Sequence, residues 1–139
     1  MDSDLAAGTV RLQLMGRSEA PYPDYRYQIV SSAQGVVGEI HLRIGNARTL
    51  CYEGNIGYYI LPAYRGRGYA TEACRKVALE AGRLGVTRLI ITTDPANLPS
   101  RRVCQKLGAV LLEEVRVPRS SPLYRQGERK KCRYMWAVP

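Results

Sequence analysis

The sequence predicts a single α/β domain in which strands outnumber helices, and three observations carry that reading. Four strand-like runs precede residue 62, two later windows repeat apolar residues at three- and four-residue steps, and a turn rich in Gly and Arg joins the two regimes. The 139 residues suffice to bury one core and are short for two domains, so residues 1–139 are read as one domain.

The elements follow in order. Thr9 to Leu14 alternates with period two, and Pro21-Tyr22-Pro23 separates it from a second strand, Tyr25 to Val30. After Ala33-Gln34-Gly35, a third strand from Val36 to Ile44 puts Gly38, Ile40, Leu42 and Ile44 on one face and Glu39, His41 and Arg43 on the other. A fourth, Ile56 to Leu61, stops at Pro62, which has no N–H for a sheet ladder. Ala70, Ala73, Val77, Ala81 and Leu84 then mark a helix beginning near Tyr69 and closing at Gly85. A buried strand, Arg88 to Thr93, leads to a second helix from about Pro99 to Leu107, stopped by Gly108. Val110 to Val117 is a strand, Pro118 to Lys131 a basic loop, and Cys132 to Val138 the last strand.

Composition narrows the function classes. A hydrophobic content of 45% with 24% charged residues is that of an ordinary globular chain rather than a disordered one. No window approaches a membrane span, and the start Met1-Asp2-Ser3-Asp4 lacks the layout of a signal peptide, so a cytoplasmic protein is expected. Four scattered cysteines and one histidine, His41, offer no spacing for a metal site, and none is expected. A net charge of +9 implies an anionic partner, either nucleic acid or a small phosphorylated polyanion, unless it serves only solubility.

The chemistry concentrates in Tyr64-Arg65-Gly66-Arg67-Gly68-Tyr69-Ala70-Thr71, between a strand end and a helix start. Glycines let backbone N–H groups converge, the helix N-terminus adds partial positive charge, and Arg65 and Arg67 add formal charge, which together suit a pyrophosphate. Neither the P-loop spacing nor the third Gly of a dinucleotide fingerprint is present.

Arg65-x-x-Gly68-x-Ala70 resembles the Arg/Gln-x-x-Gly-x-Gly/Ala motif of the GCN5-related N-acetyltransferases, and Asn97-Leu98-Pro99-Ser100 with Lys106-Leu107-Gly108 resembles that family's second signature. The resemblance implies a mixed, largely antiparallel sheet of about seven strands with flanking helices, and an acetyl-CoA-dependent transfer to a primary amine by direct attack. It implies that the backbone of Ile60 and Leu61 pairs with the pantetheine arm and that Arg65, Gly66, Arg67, Gly68, Tyr69 and Ala70 cradle the pyrophosphate. Asn97 and Ser100 would lie at the thiol end, although both residue types also cap helices.

The chain departs from the family in two respects. Relatives place two helices between the first and second strands, but only ten residues separate Leu14 from Tyr25. Without those helices one sheet face is bare, which suggests an open acceptor cleft or closure by another subunit in a homodimer. Cys104 stands where many relatives hold a tyrosine that protonates the leaving thiolate, and on this helix it reads as a packing residue.

Glu53 lies near where some relatives place a basic glutamate, with the register offset by a residue, and with Tyr59 it forms the expected catalytic pair; Tyr58 is the alternative on the same strand. His41 is a weaker candidate base. The acceptor is a small amine or a protein amine. A non-catalytic acyl-CoA-binding module is the alternative, and a nucleic-acid binder rests on charge alone.

Overall fold

The computed structural model describes residues 10–46 and 48–139; Thr9 and the acidic start lie outside them. The strands are β1 (Val10–Ser18), β2 (Asp24–Ser31), β3 (Gly35–Arg43), β4 (Ile56–Ile60), β5 (Arg88–Thr93), β6 (Val110–Arg116) and β7 (Lys130–Ala137). They form one sheet in the order β1-β2-β3-β4-β5-β7-β6, in which every neighbouring pair is antiparallel except β4 and β5. Helix α1 (Tyr69–Arg83) crosses from β4 to β5 and α2 (Leu98–Leu107) from β5 to β6. The α/β class and the mixed, largely antiparallel sheet are as the sequence predicts.

Two details differ. A single helical turn, α3 (Pro122–Arg125), interrupts the expected basic loop; Ser121 caps it by accepting from the Leu123 N–H at 3.2 Å. One turn carries no periodicity that a sequence could display. β7 also begins at Lys130, two residues before Cys132, because Lys130 and Lys131 already pair with Arg116 and Val115.

β1 and β2 are joined by Glu19 to Pro23 alone and pair directly, Leu12 opposite Ile29 and Leu14 opposite Tyr27. No helix intervenes. The inward side chains Ile29, Ile40, Leu42, Leu89 and Ile91 are fully or almost fully buried under α1, whose Ala73, Val77 and Ala81 recur on one face. Small residues there let the helix lie close to the sheet, and burying these aliphatic side chains supplies most of the fold's stability. The other face of β2 to β4 carries Arg26, Glu39, His41 and Tyr59, all partly exposed. There His41 is held between Asp24 and Glu39, each at 3.0 Å. Among the described residues no helix is long and apolar enough to cross a membrane.

The joint between β4 and β5 is the irregular part of the sheet. β3 and β4 share five residue pairs and β5 and β7 share six, but β4 and β5 share only Ile56 opposite Ile91. Beyond that pair the two strands diverge.

Asn55, 4% exposed, fixes the vertex. Its backbone N–H donates to the Ile90 carbonyl at 2.7 Å, and its side-chain oxygen accepts from the Ile90 N–H at 2.8 Å. Its side-chain nitrogen donates to the Arg43 and Gly45 carbonyls at 2.9 and 3.3 Å, and its carbonyl accepts from the Arg43 N–H at 2.7 Å. One residue thereby ties the end of β3 to β5 and satisfies backbone groups that the diverging strands leave unpaired. Replacing Asn55 by Ala orphans the buried Ile90 N–H and removes the donor to the part-buried Arg43 carbonyl. At about 1 to 3 kcal/mol per unsatisfied buried group, Asn55→Ala should lower unfolding stability by at least about 1 kcal/mol. Urea denaturation measures it, and a loss under about 0.5 kcal/mol would show that the vertex does not depend on this side chain.

Candidate functional site

A cavity of about 710 Å³ lies in the splay, lined by β4, β5, the turn before α1 and the first turn of α2. Its polar end is built by Tyr64 to Thr71. Gly66 and Gly68 adopt positive φ of 78° and 83°, a conformation that side chains disfavour, and Gly68 stands at the N-terminal boundary of α1 with no side-chain cap. The first N–H groups of α1 therefore lack a capping side chain where the helix dipole is most positive. Arg65 joins the cavity wall, with Nε donating to the Ile60 carbonyl at 2.8 Å and its guanidinium 5.0 Å from the Tyr59 ring centre.

Of the twelve residues that the sequence assigns to the cofactor site or to the catalytic pair, all but Leu61 and Arg67 line this cavity. Leu61 needs correction. Its N–H donates to the Val37 carbonyl at 2.9 Å, and its own carbonyl accepts from the Tyr64 N–H at 2.9 Å. Both backbone groups are spent inside the fold. The Arg43–Asn55 and Val37–Leu61 bonds set the alternation of the β3–β4 ladder, so the backbone groups of Ile56, Tyr58 and Ile60 point toward β5. Past Ile56 no strand answers them, and the pair exposed to the cleft is Tyr58 and Ile60 rather than Ile60 and Leu61. Alternation along an isolated run cannot tell which set faces the neighbour. Arg67 lies off the cavity, its guanidinium 6.0 Å from the Tyr64 ring. Tyr69 turns its ring into the core, 4% exposed with its hydroxyl 3.2 Å from Ser31 Oγ, and is left with its backbone to offer a ligand.

The expected catalytic residues line the same cavity. Tyr58 and Tyr59 both line it but point oppositely. The Tyr58 hydroxyl lies 3.0 Å from Ser100 Oγ, and burial raises its phenol well above the ordinary range, so it stays protonated. Tyr59 is 55% exposed. Asn97 caps α2, its side chain accepting from the Ser100 N–H at 3.2 Å. Glu53 sits in the turn before β4 rather than on the strand, with Oε1 accepting from the Tyr22 hydroxyl at 2.8 Å. Arg43 lies across Gly57, where a Cβ would come within 2.7 Å of its guanidinium, and Nη1 donates to the Glu53 carbonyl at 3.2 Å.

Cys104 is fully buried and does not line the cavity, and burial pushes its thiol up to about 12. His41 is also absent from the cavity wall. Sequence reasoning passed over Arg102 and quoted Lys106 only as part of the helix end; the two lie one turn apart on α2 and both on the wall, and their i, i+4 spacing was the available signal. It also passed over Asn55 and Tyr22, whose roles depend on contacts 35 and 31 residues away. Among the described residues no group of three or more His, Cys, Asp or Glu side chains is placed to hold a metal ion.

Comparison with known proteins agrees with this architecture. A family model described as the acetyltransferase (GNAT) domain matches residues 4–110. The N-acetyltransferase YnaD of Bacillus subtilis is 42% identical over 55 residues, 38% of this chain and 32% of that protein. The ribosomal-protein-S5-alanine acetyltransferase of Vibrio fischeri superposes with a TM-score of 0.65 at 18% identity, covering 83% of this chain and 62% of that one. A GNAT-family acetyltransferase of Bacillus anthracis gives 0.63 at 20% identity, covering 81% and 66%. The microcin self-immunity acetyltransferase MccE, solved with acetyl-CoA and AMP, gives 0.64 at 18% identity, covering 83% and 61%. The chain spans less than two thirds of MccE and about a third of YnaD. The structural matches speak for the fold, and the family match, which takes in most of the chain together with both signature turns, shows that this protein belongs to the GNAT acetyltransferase family.

Proposed function

We propose that the chain binds acetyl-CoA through the splay between β4 and β5 and transfers the acetyl group to a primary amine by direct attack in a ternary complex. One observation carries the reading: an uncapped helix N-terminus with two left-handed glycines opens into a cleft whose strand edge is unpaired. The first feature suits a pyrophosphate and the second suits an amide-bearing arm that would take the place of the missing strand. Arg65, Arg102 and Lys106 on the cavity wall supply positive charge for the phosphates. The cosubstrate of MccE supports acetyl-CoA as the donor.

Within that frame the residues divide the work. The cleft-facing N–H groups of Tyr58 and Ile60 offer donors to a carbonyl that gains negative charge. Glu53 takes the proton of the acceptor amine, directly or through water. At the thiol end, the Tyr58–Ser100 hydroxyl pair lines the cavity whereas Cys104 does not, so departure of the thiolate does not depend on the cysteine. Holding amine and thioester together supplies much of the rate by itself. The second reading, a module that holds acyl-CoA without turnover, is favoured by the burial of Cys104 where relatives carry their tyrosine.

Calorimetric titration with acetyl-CoA tests binding, and an acetyl-CoA turnover assay against a panel of primary amines and short peptides separates the two readings. Binding without turnover across the panel would favour the module. Gly68→Val forces a branched residue to a φ of 83° and should abolish acetyl-CoA binding; unchanged affinity would place the pyrophosphate elsewhere. Glu53→Gln should slow turnover by about 100- to 10,000-fold, the range of a positioned general base, and a loss below roughly threefold would remove Glu53 from that role. Cys104→Ala should leave turnover nearly intact while lowering stability by about 1 kcal/mol; collapse of turnover with unchanged melting would make the thiol a proton donor instead.

A further inference from the structure

We infer that Tyr22 is the positioning residue for Glu53, delivered to it by the short β1–β2 turn that stands where the family resemblance implies two helices. The inference rests on the reading of Glu53 as the base. A glutamate in an exposed turn samples many rotamers, and a base contributes only when its oxygen is held at the acceptor. Here the turn itself is constrained. Tyr22 lies between Pro21 and Pro23, which restrict the backbone, and the Pro23 carbonyl accepts from the Ile44 N–H at 2.8 Å, pinning the turn to the end of β3.

From that fixed point the Tyr22 hydroxyl donates to Glu53 Oε1 at 2.8 Å, while Arg43, lying across Gly57, holds the Glu53 carbonyl. Glu53 is thus gripped at its backbone and at one carboxylate oxygen. Oε2 has no partner among the described residues and is the oxygen left to take the amine proton. In the reaction that proton moves from the acceptor nitrogen to Oε2, the nitrogen lone pair attacks the thioester carbonyl, the C–S bond breaks and its electron pair leaves on the CoA thiolate, and Tyr22 keeps its own proton throughout. Tyr22 suits a donor that must not titrate: its phenol is pushed up to about 12, by burial first and then by the hydrogen bond and charge of Glu53. With no helix between β1 and β2, the base is therefore ordered by one phenol from a five-residue turn.

Two measurements test this. The first needs no acceptor: with tyrosine labelled at Cζ, the Tyr22 carbon signal, assigned by its loss in Tyr22→Phe, should stay at the neutral-phenol shift at about pH 10.5 and move toward phenolate in Glu53→Gln. A Tyr22 signal indifferent to Glu53→Gln overturns the inference whatever the enzyme does. The second is kinetic, with acetyl-CoA and the best amine of the panel. Tyr22→Phe should lower kcat by about tenfold, the scale on which orienting partners act, with an unchanged melting temperature and an unchanged KM for acetyl-CoA. On the Glu53→Gln background the same change should cost nothing further. A Tyr22→Phe loss that persists in full on that background overturns the positioning role alone, whereas full activity of Glu53→Gln contradicts the parent reading and removes the role with it.

Discussion

The cleft depends on how β4 and β5 are held together at one point and apart everywhere else. Asn55 makes this geometry: with its backbone and amide it closes both hydrogen bonds to Ile90 and turns its remaining groups to Arg43 and Gly45. Only Ile56 and Ile91 then pair before the strands separate. A parallel sheet ordinarily buries and pairs its backbone groups, and the exception here leaves the Tyr58 and Ile60 amides facing a cavity. The same divergence brings the start of α1 and the start of α2 to the two sides of that cavity.

The charge of the chain becomes meaningful once the cleft is in place. A net charge of +9 by itself suits any polyanion, but Arg65, Arg102 and Lys106 line the same cavity as the uncapped N-terminus of α1. On the bare face of the sheet the charges are paired instead. Asp24, His41, Glu39 and Arg26 form a chain of contacts across β2 and β3. That pairing lets polar side chains occupy a sheet face that no helix covers among the described residues, at modest electrostatic cost.

The seven strands and two long helices were legible because each shows as a periodic stretch or an apolar run of five residues or more, and because Pro62, Gly85 and Gly108 close three of them. The glycine- and arginine-rich turn that lines the cavity was legible for a similar reason, since all of its parts lie in one continuous stretch from Tyr64 to Thr71. What escaped was set by distant contacts. Leu61 and Ile60 look equivalent in sequence, and only the register against β3 shows that the Leu61 N–H is spent on Val37. Tyr22 reads as a turn residue between prolines until the fold brings Glu53 beside it, and Asn55 reads as a loop asparagine until Ile90 is seen against it. The burial of Cys104 was legible because an apolar helix face predicts it regardless of family role.

The most direct test of the account is a backbone amide NMR titration of the intact chain with acetyl-CoA. The account predicts saturable shifts concentrated in two groups, the N–H groups of Gly66 to Thr71 and those of Tyr58 and Ile60, with the Leu61 N–H little changed because Val37 already holds it. Saturable shifts confined to the basic segment from Arg116 to Lys131, or no saturable shift at millimolar ligand, would contradict it.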